Sequence, residues 1–103
     1  VIDFREVLRR AQEVKERLAR LEEELAQRRV SASAGGGMVT VVVNGRQEVL
    51  EVRIEPQVVD PGDLDLLQDL VRGAVNEALA RARRLAAEEA ARVTGGLDLP
   101  GLS

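Results

Sequence analysis

The chain has no cysteine and no histidine. Without cysteine there are no disulfide staples and no thiolate metal sites. Without histidine the commonest zinc ligand and the commonest general base are both missing. Ser31, Ser33, Thr40, Thr94 and Ser103 therefore have no His, Cys or Tyr to activate or assist them. Nothing resembles a nucleophile–base pair, so neither an enzyme, nor a cofactor, nor a small-molecule substrate is expected. Phe4 is the only aromatic residue. The core must be built from Val, Leu, Ile and Ala, and single-stranded nucleic acid would find no platform on which to stack its bases. No apolar run approaches the ~20 residues that a membrane span requires. No charged-then-apolar leader opens the chain, which makes the cytoplasm the expected compartment.

At 103 residues the chain reads as one domain, residues 1–103, with 45% hydrophobic residues for a modest core. The formal net charge of -3 argues against a uniformly basic surface, but not against a local patch. Residues 1–29 carry eight basic and seven acidic side chains, whereas residues 30–103 carry seven and eleven. Fourteen of the fifteen basic residues are Arg, a bias that favours forked or phosphate contacts and that genomic base composition would also produce.

The periodicity predicts a first helix from about Asp3 to Arg28. Phe4, Val7, Ala11, Val14, Leu18, Leu21 and Leu25 form an uninterrupted heptad seam, the pattern of a helix packed along another helix. Glu6–Arg10, Glu13–Arg17, Glu16–Arg20 and Glu24–Arg28 are acid-first i,i+4 pairs, each expected to add a few tenths of a kcal/mol. Residues 30–36 read as a weak edge strand. Met38 to Val43 and Glu48 to Ile54 read as two further strands, joined at Asn44-Gly45 by a tight turn whose residues tolerate positive φ. Leu50, Val52 and Ile54 alternate with Glu51 and Arg53, which predicts one buried and one wet face. In Asp60-Pro61-Gly62-Asp63 the pattern predicts an Asp60 N-cap with Pro61 at the first helical position. The second helix is then expected to reach about Val93. Its apolar stripe is Leu64, Leu67, Val71, Ala74, Ala78 and Leu85, widened by Leu70, Val75, Leu79 and Ala82. Gly73 marks a bend or a close packing point. Thr94-Gly95-Gly96 ends the helix, and the tail Leu97 to Ser103 reads as irregular.

The fold class is therefore α+β: a long N-terminal helix, a three-stranded antiparallel sheet and a long C-terminal helix. A six- or seven-residue strand is roughly 20–23 Å long, whereas the two helices would span ~39 and ~45 Å. The sheet covers about half of either helix. The surplus apolar seam calls for a second copy of the chain, with helical arms projecting from a central sheet.

Gly35-Gly36-Gly37 leads into a strand with no Lys following, so a close-packed bend is favoured over a phosphate loop. Asp63, Asp65 and Asp69 suit the positive end of a helix dipole and lack the rest of a calcium loop, so no metal is expected. The arginines divide by neutralisation. Arg17, Arg20 and Arg28 have acidic partners within the helix, whereas Arg5, Arg9 and the run Arg81-Ala-Arg83-Arg84 are less well neutralised. Arg10 joins Arg9, and Arg92 stands near the helix end. If the helices are antiparallel, these basic residues lie toward one end of an arm. A basic gap lined by helices suits duplex DNA held through its phosphates. Arg5, Arg9, Arg10, Arg81, Arg83, Arg84 and Arg92 are the candidate DNA-binding residues. The competing reading is an interaction module whose heptad helices grip a partner helix.

Several blocks in order resemble the YbaB/EbfC family of bacterial nucleoid-associated proteins. They are Ser33-Ala-Gly-Gly-Gly-Met-Val39, Val43-Asn-Gly45, Glu48-Val-Leu50, Pro56-Gln-Val-Val-Asp-Pro61, Leu67-Gln-Asp-Leu-Val71, Ala74-Val-Asn-Glu-Ala78 and Thr94-Gly-Gly-Leu97 with Leu99-Pro-Gly101. The resemblance implies a tweezer-like homodimer whose helical arms bind double-stranded DNA, placed at the nucleoid and acting in chromosome organisation or gene expression. The first helix departs from the family in being rich in Arg, Glu and Leu where Gln and Met are common. Its DNA contacts are therefore inferred from charge and placement alone.

Overall fold

The computed structural model describes residues 2–95. Helix α1 (Phe4–Gln27) is followed by strands β1 (Arg29–Ala34), β2 (Val39–Asn44) and β3 (Val49–Ile54), a short 3-10 turn (Pro56–Val58) and helix α2 (Leu64–Gly95). The strands form an antiparallel sheet in sequence order, with β2 in the centre. The expected fold class is the one observed, with boundaries shifted by a residue or two. The expected Gly96 cap and the tail from Leu97 to Ser103 lie outside the described residues.

Each element has a local cause. Asp3 starts α1 by accepting the Arg5 N–H at 3.0 Å. The three glycines form the β1–β2 turn at φ of +64°, +66° and +93°, a conformation that favours glycine. At Gly35 a Cβ would also stand 2.9 Å from the Leu70 side chain, so the bend is close-packed as expected. Asp60 does not cap α2. Its Oδ1 accepts the Gly62 N–H and its carbonyl accepts the Asp63 N–H, both at 2.9 Å, which closes a turn ahead of the helix. The cap falls to Asp63, which accepts the Leu66 N–H at 3.3 Å, so α2 begins at Leu64 rather than at Pro61. α2 then runs unbroken past Gly73, around which there is open space rather than a packing contact.

The β2–β3 turn differs from its expected form. Asn44 and Gly45 do not have positive φ; Gln47 does, at 65°. The Asn44 side chain organises the loop. Its Oδ1 accepts the Arg46 and Glu48 N–H groups, each at 3.0 Å, and its Nδ2 donates to Ala26 O and Glu48 Oε1. Gly45 is needed for space. Its N–H donates to Leu25 O at 2.8 Å, and a Cβ would stand 2.8 Å from that same oxygen.

The core lies where α2 crosses two strands. Ala74, Ala78 and Ala82 let the helix approach Ala32, Val39, Val41, Val43 and Val58, with Val30, Leu67, Leu70, Val71, Val75 and Leu79 around them. β3 is left out. Leu50, Val52 and Ile54 were expected on a buried face, but they are exposed, because α2 lies over β1 and β2 only. A bulge between Val42 and Val43 also removes Leu50 from the pairing, so that Val49 stands opposite Val43.

The first seam is likewise buried only at its root. Leu21 and Leu25 are buried and Val7, Val14 and Leu18 are half-buried, but Phe4 and Ala11 are exposed. α1 meets the sheet at its C-terminal end and runs back beside the projecting end of α2, producing a molecule of 72 × 24 × 16 Å. The junction yields a test. Gly45→Ala should lower unfolding stability in urea by about 1–3 kcal/mol, the usual cost of overpacking a close contact, because the clash is with backbone that cannot swing aside.

Candidate nucleic-acid interface

The placement of the arginines follows from helix rise. Arg81 on α2 donates to Ser31 O of β1 at 2.9 Å, so this part of α2 lies level with the sheet. Leu25 of α1 meets Gly45 at the same end of the sheet. From there α1 and α2 leave side by side and antiparallel. At ~1.5 Å per residue, Arg84 stays near the root of the arm, Arg92 stands roughly 15 Å out and Arg5 roughly 30 Å out. The candidate residues are therefore strung along the arm from root to tip instead of gathered at one end.

Their neutralisation is nearly the reverse of the sequence expectation. Arg9 is held by both oxygens of Glu6 at 2.6 Å, and Arg10 Nε reaches Glu6 at 3.3 Å. Arg81 pairs with Glu77 at 3.1 Å and Arg84 approaches the same carboxylate at 3.7 Å. Arg92 pairs with Glu89 at 3.1 Å. Of the seven candidates, Arg5 and Arg83 alone have no ion pair or side-chain hydrogen bond among the described residues. Arg17, Arg20 and Arg28 were expected to be neutralised by Glu13, Glu16 and Glu24, but among the described residues they form no ion pair. The physical reason is that an exposed i,i+4 pair gains little over water at the cost of side-chain freedom.

The i,i+4 spacing drew attention to pairs and away from the helix circumference. At ~100° per residue, Arg5, Arg9, Arg10, Arg17, Arg20 and Arg28 all fall within about 140° of the α1 surface. They share that flank with Glu6, Glu13, Glu16, Glu23 and Glu24. The flank is therefore dense in charge of both signs, and the free cations are interleaved with carboxylates. One carboxylate is perturbed: the hydrogen bond from Arg9, with the charges of Arg9 and Arg10, holds the Glu6 carboxyl below its ordinary value of 4.5. The reciprocal bond raises the Arg9 guanidinium above its ordinary value, so the pair stays ionised at neutral pH.

Away from the arm, a shallow cavity of about 380 Å³ lies between the 3-10 turn and the start of α2, floored by Met38, Val58, Leu66 and Leu70. Asp60 and Asp63 stand at its rim, and each accepts the backbone N–H already described. Asp69, further along α2, pairs with Arg72 at 3.0 Å. The acidic side chains of this region thus serve the turn and the helix. No helix among the described residues is long and apolar enough to cross a membrane.

Comparison with known proteins agrees with this architecture. A nucleoid-associated protein of Syntrophobacter fumaroxidans is 55% identical over 89 residues, spanning 86% of this chain and 81% of that protein. One from Thermoanaerobacter pseudethanolicus is 48% identical over 96 residues, spanning 93% and 86%. A crystal structure of an uncharacterized Helicobacter pylori protein superposes with a TM-score of 0.82 at 23% identity, covering 92% of this chain and all of that one, which speaks for the fold. The model of the YbaB/EbfC DNA-binding family matches residues 2–97, and the chain belongs to that family.

Proposed function

We propose that the protein, with residues 1–103 acting as one domain, binds double-stranded DNA as a homodimer through the arginines of its helical arms. The contacts are mainly to phosphates, and the outcome is organisation of the chromosome and an influence on gene expression in the nucleoid of a bacterial cytoplasm. Membership of a DNA-binding family carries the reading, and the one-sided array of arginines along a ~36 Å helix supports it. Arg5 and Arg83, already free, are ready phosphate ligands. Arg9, Arg10, Arg81, Arg84 and Arg92 would exchange an exposed carboxylate for a phosphate, a trade between two charge-assisted contacts. The interleaved glutamates keep the arm from adhering indiscriminately to polyanions, and sequence preference would come from DNA shape or a few Arg contacts. No catalytic role is assigned.

A second reading has one observation in its favour. Phe4 is 77% exposed and Leu8 64% exposed near the arm tip, which suits a groove for a partner helix. Salt separates the two. A phosphate-held duplex releases counterions and should lose about tenfold or more in affinity between 50 and 200 mM salt, whereas an apolar groove should hardly respond. Fluorescence anisotropy with duplex DNA reads this directly, and a dimer that fails to bind at the lowest salt favours the partner helix.

Two variants test the arm. Reversing Arg5, Arg9 and Arg10 together to Glu should weaken duplex binding and flatten its salt dependence, while light scattering and circular dichroism remain unchanged. Wild-type affinity in that variant would remove the arm tip from the interface. Glu6→Gln should act in the opposite direction, tightening binding severalfold by releasing Arg9. Acid should act similarly on the pair. Because the folded-state pKa of Glu6 is depressed, the bridge is intact above 4.5 and is lost only as pH falls through the lower folded value. A titration of the Glu6 carboxylate by NMR should show that depression vanish in Arg9→Ala.

A further inference from the structure

The two edges of the sheet are unequal. Ser31 on β1 lies opposite Val42, and its carbonyl is taken by the Arg81 guanidinium at 2.9 Å, which guards that edge. β3 pairs only with β2 and has no such guard. Glu55 N–H donates to Met38 O at 2.8 Å on the β2 side. Peptide groups alternate in direction along a strand, so those of Arg53 and Glu51 also turn toward β2. Those of Val52 and Ile54 face outward and stand ready to pair.

The side chains of β3 are unfinished in the same direction. Val49, Val52 and Ile54 stand opposite Val43, Val41 and Val39, and cross-strand partners share a face. They therefore extend the apolar floor on which α2 sits, beyond the reach of α2, and are 48%, 44% and 40% exposed. Glu51 and Arg53 lie on the other face, bonded to each other at 3.0 Å.

We propose that a second copy of the chain docks on β3, edge to edge and antiparallel about a two-fold axis at Val52, joining two three-stranded sheets into one of six strands. The proposal rests on the homodimer reading and adds its surface and register. The sequence Leu50-Glu51-Val52-Arg53-Ile54 is self-complementary about its centre. In this register Val52 meets the partner subunit's Val52, with both peptide groups turned toward the axis as a hydrogen-bonded pair requires. Glu51 meets the partner subunit's Arg53, and Arg53 the partner subunit's Glu51. Leu50 meets the partner subunit's Ile54. A one-residue slip in the pairing would break the hydrogen-bond match and place Glu51 opposite an apolar neighbour. The axis is perpendicular to the sheet, so both α2 helices lie on the same face and flank the strip of Val49, Val52 and Ile54 that neither covers alone. The arms then splay on either side of the axis.

Single cysteines test the register, because the chain has none of its own. Cα atoms across a hydrogen-bonded antiparallel pair stand ~5.5 Å apart, within the span of a disulfide. Val52→Cys should convert to a covalent dimer under mild oxidant or a short bis-maleimide, whereas Ser33→Cys, on the guarded edge, should stay unlinked. Glu51→Arg should raise the dimer dissociation constant about tenfold or more by facing like charges across the axis, and adding Arg53→Glu should recover most of the loss. If light scattering shows a dimer in which Val52→Cys does not link, or Glu51→Arg has no effect, docking on β3 is wrong and the dimer uses another surface, such as the α1 seam. A chain monomeric at every concentration overturns the dimer itself, while duplex binding is read independently by anisotropy.

Discussion

The arm is joined to the sheet at a contact that leaves no room for a side chain. The Gly45 N–H meets the last turn of α1 at Leu25 O, and the neighbouring Asn44 amide reaches Ala26 O in the same turn. Through Asn44 the hairpin loop, the end of β2 and the end of α1 become one rigid corner. Leu21 and Leu25 pack behind it, and the direction of a ~36 Å helix follows from a few atoms. Because α1 is fixed at one end and projects from there, every charge on it acquires a defined distance from the sheet.

The second constraint is that one helix cannot cover three strands. The small faces of Ala74, Ala78 and Ala82 bring α2 close to β2, and that intimacy restricts its reach to β1 and β2. β3 is left with apolar side chains on the helix face, an alternating charge pair on the other, and an open ladder at its edge. An edge of this kind persists in a soluble protein only if something covers it or its charges discourage the wrong partners. The same economy governs α1, whose seam is covered near the corner and bare at the tip. Both uncovered surfaces arise because the helices are longer and the sheet wider than one chain can close.

Electrostatics on the arm is a matter of exchange more than of excess. The net charge is -3, and the α1 flank mixes six arginines with five glutamates. Binding to a polyanion on such a surface depends on which cations are free and which must leave a carboxylate. Glu6 matters most in that respect, since it engages two neighbouring guanidinium groups near the tip.

The element order, the three-stranded sheet, the glycine bend and the family were all legible in the sequence, because they rest on local signals: heptad spacing in α1, alternation in β3, and three consecutive glycines where φ must be positive. The misreadings share a cause. Asp60 looked like a cap because Asp-Pro is a good local start, yet Asp63 stands where the chain turns into the core. Asn44-Gly45 looked like a positive-φ turn, yet Gly45 is required by the approach of Leu25, which lies twenty residues earlier in the chain. Leu50, Val52 and Ile54 have the pattern of a buried face, but burial depends on how far α2 extends across the sheet. The i,i+4 glutamates looked like partners for Arg17, Arg20 and Arg28, whereas exposed pairs form or dissolve by margins that spacing does not reveal. What the sequence by itself determined was which segments are helix or strand and which of their faces are apolar, since those depend on residues within a turn or two. Which apolar faces are covered, which arginines are free and which strand edge is open was decided only by the tertiary structure, because each depends on the reach of one element over another.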